Sequence, residues 1–402
     1  MPLELFIALR YLKARRKGVF TLLTSIIAIG GITLGVAALI ITLGVMSGFH
    51  ADIKEKILGV QPHLIVLKNN YEAFKDYKTV LESINKNKHV TASAPFVYGQ
   101  TIIRRGQSGI GAAVKGIDPA AEDKLVSLHK IVLSGKPWSP EIADGEIIIG
   151  VELAQNIGVM TGQEVVLVTP GMYSMVPQMQ KFKVKYLFHS GMYEYDANLA
   201  YINLNDAKKL FLTGDAVSGI GVSVDDWENA DIIGKEIQSK LSDGYWVRSW
   251  QRMNRNLFSA LKLEKIMMFI ILALIIIVAA FNIISNLLLL TVEKTKEIGI
   301  LSALGFEKAK IARIFFYEGL IMGITGITAG LATGFGLSML LKKYQFIHLP
   351  ADVYYLDHLP VKILAGDVLS VVCATLIITV IAGIYPAYQV TKLDPLEAIR
   401  YG

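Results

Sequence analysis

Charge is scarce in this sequence. Of 402 residues only 18% are Asp, Glu, Lys or Arg, while 53% are apolar. A soluble domain carries about 25% charged residues, so long segments here must avoid water; mean hydropathy is +0.46. Cysteine is nearly absent. The single Cys373 rules out an internal disulfide and leaves the compartment unread. The 7 histidines are scattered and read as structural or solvated residues. There is no His-Glu-x-x-His, no Gly-x-Ser-x-Gly and no kinase motif set. The glycine runs at 30–35 and 319–336 lack the Gly-Lys-Ser/Thr ending that phosphate binding requires. Nothing therefore argues for hydrolysis or group transfer by this chain, and the expectation is that it is not an enzyme and binds no metal or cofactor of its own. The net charge of +6 comes with neither zinc-finger spacing nor a basic stripe interleaved with aromatics. It reads as Lys and Arg flanking membrane spans, with no nucleic-acid partner.

What is present is four long apolar runs. A spanning helix needs about 20 mostly apolar residues, and stretches between Lys17 and Asp52, between Lys265 and Glu293, from Gly319 to Leu341, and from Asp367 to about Tyr385 qualify. The first follows Arg10, Lys13, Arg15, Arg16 and Lys17, as a signal peptide would. Its run is roughly twice the about 7–15 residues of a signal h-region, so it reads as a retained helix. Basic residues also mark the segment between spans two and three (Lys294, Lys296, Lys308, Lys310, Arg313) and the C-terminal tail (Lys392, Arg400). The positive-inside rule then puts both termini in the cytoplasm. The expected partition is a cytoplasmic segment 1–18, span 19–48, an external domain 49–264, span 265–292, a cytoplasmic segment 293–314, span 315–341, an external loop 342–366, span 367–388 and a cytoplasmic tail 389–402.

The external domain is ordinary globular sequence of α+β type. Strands are predicted at 62–68, 89–97, 100–105, 112–117, 146–150, 164–169, 181–188 and 245–250, and helices at 71–85, 151–157 and 227–241. The connection PGMYSMVPQMQ at 170–180 is too long for a tight hairpin. It carries Pro170, Met172, Tyr173, Met175, Val176, Pro177 and Met179. Burying one Met is worth about 1.5–3 kcal/mol, and Met adapts to varied surfaces. The loop either folds back on its own domain or docks a partner.

Within the spans, Gly319, Gly323, Gly326, Gly330 and Gly334 make a smooth stripe, and Gly31, Gly35, Gly44 and Gly48 recur on the first span. Small residues let helix backbones approach in a membrane, and Asn282, Ser285 and Asn286 need partners there. The segment 291–305 (TVEKTKEIGILSALG) reads as a short amphipathic helix at the inner surface, with Ile298, Leu301 and Leu304 on one face and Gly305 at a C′ position. It either rests on lipid or acts as a lever pushed by a cytoplasmic ATPase.

The run EIGILSALG at 297–305 resembles the coupling-helix motif of MacB/FtsX-type ABC permeases, and the ending YPA…LDPLEAIR at 385–400 resembles their C-terminal motif. Three segments resemble the lipoprotein-releasing permeases of the LolC/LolE family: YLKARRKGVFTLLTSIIAIGGITLGVAALIITLGVMSGF, SWQRMNRNLFSALKLEKIMMFIILALIIIVAAFNIISNLLLL and HSGMYEYDANLAYINL. The resemblance implies four spans with a large mixed α/β periplasmic domain between the first two, in the inner membrane. It implies a permease that pairs with a second one, or with a second copy of itself, and binds two copies of the ATPase LolD, where ATP and magnesium are used. Such permeases extract lipoproteins and pass them to the carrier LolA, which a protruding loop hooks; the 170–180 loop occupies the matching place. Glu297, Ile298, Gly299, Leu301, Leu304 and Gly305 are then the ATPase-coupling residues. Acyl chains are expected between spans one and two near their periplasmic ends, with Leu43, Met46, Met267, Met268 and Ile271 as candidate lining that otherwise faces lipid or core. The other readings are a MacB-like exporter of amphiphiles or peptides, an FtsX-like scaffold for a periplasmic hydrolase, and a membrane-anchored periplasmic enzyme.

Overall fold

The computed structural model describes residues 2–13, 19–133, 138–169, 177–344 and 359–391. They fall into two compact units, one built from the long helices and the other from Asp52–Ala260.

In the helical unit, α1 (Leu3–Lys13) precedes α2 (Val19–Leu58), whose last turns run on into the other unit. By length and composition, three helices among the described residues can cross a membrane: α2, the later helix at Lys308–Tyr344 and the one at Ala365–Val390. A fourth arises if the bent pair Ile277–Glu293 and Thr295–Ala303, which meet at 62°, counts as one span. The helices outrun the apolar windows; α2 carries on through Asp52, Lys54, Glu55 and Lys56, because a helix does not have to end where the hydrocarbon does. α1 was not foreseen. Its Ala8 is buried while Leu3, Phe6 and Leu9 are exposed, the pattern of a helix lying in a membrane interface.

The glycine stripe is consumed inside the chain. A Cβ on Gly319 would come within 2.9 Å of Leu287, one on Gly326 within 2.7 Å of Ile32, and one on Gly330 within 2.6 Å of Val36 and 2.9 Å of the Thr33 carbonyl. The third span thus lies backbone-close on α2, as small-residue faces allow. Thr33 Oγ1 donates to the Gly326 carbonyl at 3.3 Å across the same contact. Gly48 serves a different approach, since a Cβ there would meet the Pro360 backbone. Beside it Lys362 N–H donates to the Gly44 carbonyl at 2.8 Å.

The other unit contains β1 (Leu64–Lys68), α3 (Tyr77–Asn85), β2 (Val90–Arg105), β3 (Ser108–Ile117), α4 (Pro119–Val126), α5 (Leu128–Ile131), β4 (Val132–Leu133), β5 (Glu146–Gly150), α6 (Val151–Ile157), β6 (Glu164–Thr169) and β7 (Gln178–Phe188). It continues with α7 (Tyr193–Asn198), β8 (Leu199–Asn203), α8 (Leu204–Leu210), β9 (Gly219–Val224), α9 (Ala230–Lys240), β10 (Tyr245–Ser249) and α10 (Trp250–Met253). Strand β2 belongs to two sheets. Its first half pairs with β9, which continues to β1 and β10. Its second half pairs with β3 and β6, and the ladder β3–β8–β5–β7–β6 returns to β2, closing a six-stranded ring. Val97, Ile103, Val114, Ile147, Ile149, Leu167, Phe182, Val184 and Ile202 fill the core of that ring. The β10 edge is covered: Gln238 on α9 donates to the Tyr245 carbonyl at 2.7 Å and accepts from Val247 N–H at 2.8 Å, standing in for a neighbouring strand.

Several sequence expectations shift. The strands predicted at 89–97 and 100–105 are one strand, β2. Gly99 continues the strand, and its missing side chain makes room for the Phe211 ring. The helix predicted from residue 71 starts at Tyr77, because Asn70 and Tyr71 take φ of 62° and 58°. The helix predicted over 227–241 contracts to α9, after a turn in which Asp226 accepts from Glu228 N–H and Asn229 N–H.

Candidate functional site

The best-formed candidate is the bend after the second long helix, α11 (Arg255–Glu293). Lys294 lies between it and α12 (Thr295–Ala303), with φ −95° and ψ 7°, and the axis turns by 62° there. α12 then ends on Gly305 at φ +86°. The Gly305 N–H donates to the Ser302 carbonyl at 3.0 Å and the Phe306 N–H to the Leu301 carbonyl at 3.1 Å, the paired bonds of a Schellman stop. The predicted C′ role of Gly305 is therefore met. After it comes α13 (Lys308–Tyr344).

α12 has a fixed face and a free face. Ile298 packs with Leu290, Ile311, Phe315 and Val390, and Leu301 and Phe306 lean on that cluster. Gly299 is buried too. Leu304 does not share the buried face as expected: helical geometry ends at Ala303, and its side chain is 76% exposed. Ile300, which the sequence reading passed over, is also exposed. The free face is thus a pair of apolar side chains, Ile300 and Leu304, on a short helix held rigidly from behind.

Polar contacts tie the bend to α1. Lys294 Nζ is 2.7 Å from Glu297 Oε1 and 5.0 Å from the centre of the Tyr11 ring. The Tyr11 hydroxyl donates to Glu297, and burial, then the Glu297 and Glu318 carboxyls, push its pKa up. Sequence reasoning missed Tyr11 and Lys294. An aromatic residue between Arg10 and Lys13 of a basic cluster carries no signal of a partner nearly three hundred positions away.

The residues expected to line one acyl cavity are not gathered. Leu43 joins Ile40, Gly44, Ile363, Asp367 and Val371 around a crevice against α14 (Ala365–Val390). Met267 and Ile271 are exposed on α11, and Met46 and Met268 are half-buried. Depth along a helix places a residue at a level but leaves its rotation open. Another apolar crevice lies further along, where Ile32, Val36 and Leu39 of α2 meet Ile275 and Ile283 of α11 and Thr375 and Thr379 of α14.

Of the predicted docking loop, Pro170, Met172, Tyr173, Met175 and Val176 lie outside the described residues. Pro177 is exposed, and Met179 is 63% exposed at the start of β7. Met179 is in register with Val168 on β6, which is in register with Ile102 on β2. Ile102 is exposed too. An apolar row therefore crosses three strands at the base of the loop, with Lys181 and Arg104 in the row beside it. Among the described residues, no three His, Cys, Asp or Glu side chains are grouped to hold a metal ion.

This arrangement has named relatives. Residues 269–395 match the FtsX-like permease C-terminal family, and residues 25–240 match the MacB-like periplasmic core domain. The chain is 34% identical over 413 residues to the lipoprotein-releasing system transmembrane protein LolC of Neisseria meningitidis, covering 99% of each chain. It is 33% identical to LolC of Xylella fastidiosa, over 100% of this chain and 99% of that one. To LolE of Haemophilus influenzae it is 28% identical, over 99% of each. Identity of this extent over whole chains places the protein in the LolC/LolE family of lipoprotein-releasing system transmembrane proteins.

Proposed function

We propose that this chain is the permease of an ATP-driven complex that extracts lipoproteins from the inner membrane and hands them to a periplasmic carrier. One observation carries the reading: a rigidly backed helix with a free apolar face, Ile300 and Leu304, in a chain with no nucleotide-binding motif of its own. Such a lever needs an external motor. The motor is a LolD-type ATPase in two copies, which uses the ATP and magnesium. In this reading the chain has four spans, with α11 as the second, and the basic residues flanking α12 and the tail keep both termini in the cytoplasm and the β-rich unit in the periplasm.

Moving an acyl chain into water opposes about 0.8 kcal/mol per CH₂, so release needs both an energy source and a covered route. The 170–180 loop and the Ile102–Val168–Met179 row at its base fit a LolA-type carrier, apolar at the centre with basic residues beside it. The acyl chains enter between α2 and α11, and photocrosslinks from Met46 and Met267 to bound lipoprotein test that placement. Identity to the LolC and LolE of one organism, Haemophilus influenzae, is nearly equal at 29% and 28%. The chain's partner is a second permease of the family or a second copy of itself.

The test is reconstitution in proteoliposomes with the ATPase, ATP, an acylated lipoprotein and the carrier. Carrier-bound lipoprotein should appear only when all are present. Nucleotide hydrolysis by the purified chain alone, or ATP-driven efflux of small amphiphiles with no lipoprotein release, would overturn the proposal. Counting permease types in the purified complex decides the pairing.

A further inference from the structure

Glu318 is a buried acid that nothing above uses. It lies on α13, three residues after Phe315, and is 0% exposed. Neither carboxyl oxygen has a hydrogen-bond partner among the described residues. A buried carboxyl without a donor is costly and marks a functional position inside a membrane protein. Its neighbours fix its level: Leu287 of α11 packs on the adjacent Gly319, and Leu290 clusters with Phe315. The next turn of α11 beyond Leu290 ends at Lys294, the residue of the bend.

Lys294 now pairs with Glu297 at 2.7 Å. Because it sits between the two helix axes, any swing of α12 about the bend must redirect its side chain. The Lys stem is long and flexible and its ammonium is a compact charge, so it exchanges partners readily. Of the charged groups around it, Glu297 moves with α12 while Glu318 is fixed to α13.

We propose that Glu318 is the second seat for Lys294. In the resting arrangement the Lys294 ammonium pairs with Glu297. When the ATPase displaces α12, the ammonium transfers to Glu318 and holds the helix in the displaced position until the motor resets. Glu318 is therefore a positioning residue that acts through Lys294, and the inference rests on the reading of α12 as the ATPase lever.

The test uses the whole reconstituted complex and measures ATP hydrolysis without lipoprotein and lipoprotein released per ATP. E318Q removes the second seat, so basal hydrolysis and release per ATP both fall, release by about tenfold, which is about 1.4 kcal/mol of bias. E297Q removes the first seat and raises basal hydrolysis. Opposite signs are something a purely structural role would not give. In a K294M background E318Q should have no further effect, which also covers the case in which E318Q alone assembles poorly. The inference is overturned if E318Q and E297Q shift hydrolysis in the same direction, or if E318Q acts at full size in K294M. If the wild-type complex hydrolyses ATP without releasing lipoprotein, it is the transporter reading that has failed.

Discussion

The two units handle buried carboxyls in opposite ways. In the β-rich unit they are paired locally. Lys115 pairs with Glu122 between β3 and α4, with both side chains nearly enclosed. Asp196 accepts from Ser190 N–H and Ser190 Oγ, each at 2.7 Å, and contacts His189 Nδ1 at 2.9 Å. That is why the HSGMYEYDANLAYINL segment is so polar at its start: it builds a turn. In the helical unit, Glu318 is enclosed and neither of its oxygens is paired among the described residues. Helices packed on glycines hold their shape without pairing that carboxyl, so it is free to serve another state. A paired buried charge points to architecture, and an unpaired one to work.

If that contrast holds, breaking a pair in the β-rich unit is the most damaging change. Lys115→Met should destabilise the purified chain by about 3–5 kcal/mol, because it leaves the Glu122 carboxylate buried alone. Replacing both, Lys115→Met with Glu122→Leu, should recover most of the loss, and thermal unfolding in detergent compares the three proteins. A double variant no better than the single would show that the pair is not what the site requires. In the helical unit the sensitive feature is steric. Gly330→Ala, whose new Cβ would press on Val36 and the Thr33 carbonyl, should cost about 1–3 kcal/mol by overpacking. Gly336→Ala, with nothing within 4 Å, should be neutral or gain about 1 kcal/mol from helix propensity. Equal effects at the two glycines would remove the close helix approach from the account.

The same contrast decides how much the sequence could disclose. Long apolar helices were legible because hydrophobicity over a full helix length is a bulk property, and Gly305 was legible because a left-handed stop strongly favours glycine. Most strands around β5, β6 and β7 were legible from alternation and flanking turn residues. The ring itself was not: β2 closes it only by pairing with β3 on one side and β6 on the other, a long-range choice that no local pattern carries. β9 was missed because it is buried along its whole length and shows no alternation. At the bend, the inward face of Ile298 and Leu301 was legible from periodicity. Glu318 was passed over because a lone Glu in an apolar run looks like a cytoplasmic boundary residue until its burial is known. For the candidate acyl-cavity residues, level along a helix was legible and rotation was not.

The sharpest probe of the comparison is also the smallest effect. Asn286 donates to the Met322 sulfur at 3.3 Å, and its carbonyl oxygen has no partner. Interhelical side-chain bonds in membranes average about 0.6 kcal/mol, and a bond to a thioether is weaker than most. Asn286→Leu should therefore change thermal stability by no more than about 0.6 kcal/mol, and stability can even rise as the unpaired oxygen is removed. Asp196→Leu in the other unit strips two donors of their acceptor and should cost several times more, since each buried donor left unmade costs about 1–3 kcal/mol. If Asn286→Leu unfolds the helices, its oxygen has a partner in the assembled protein and Asn286 is a structural residue. If stability holds while lipoprotein release falls, Asn286 joins Glu318 as a polar group kept for a state other than this one.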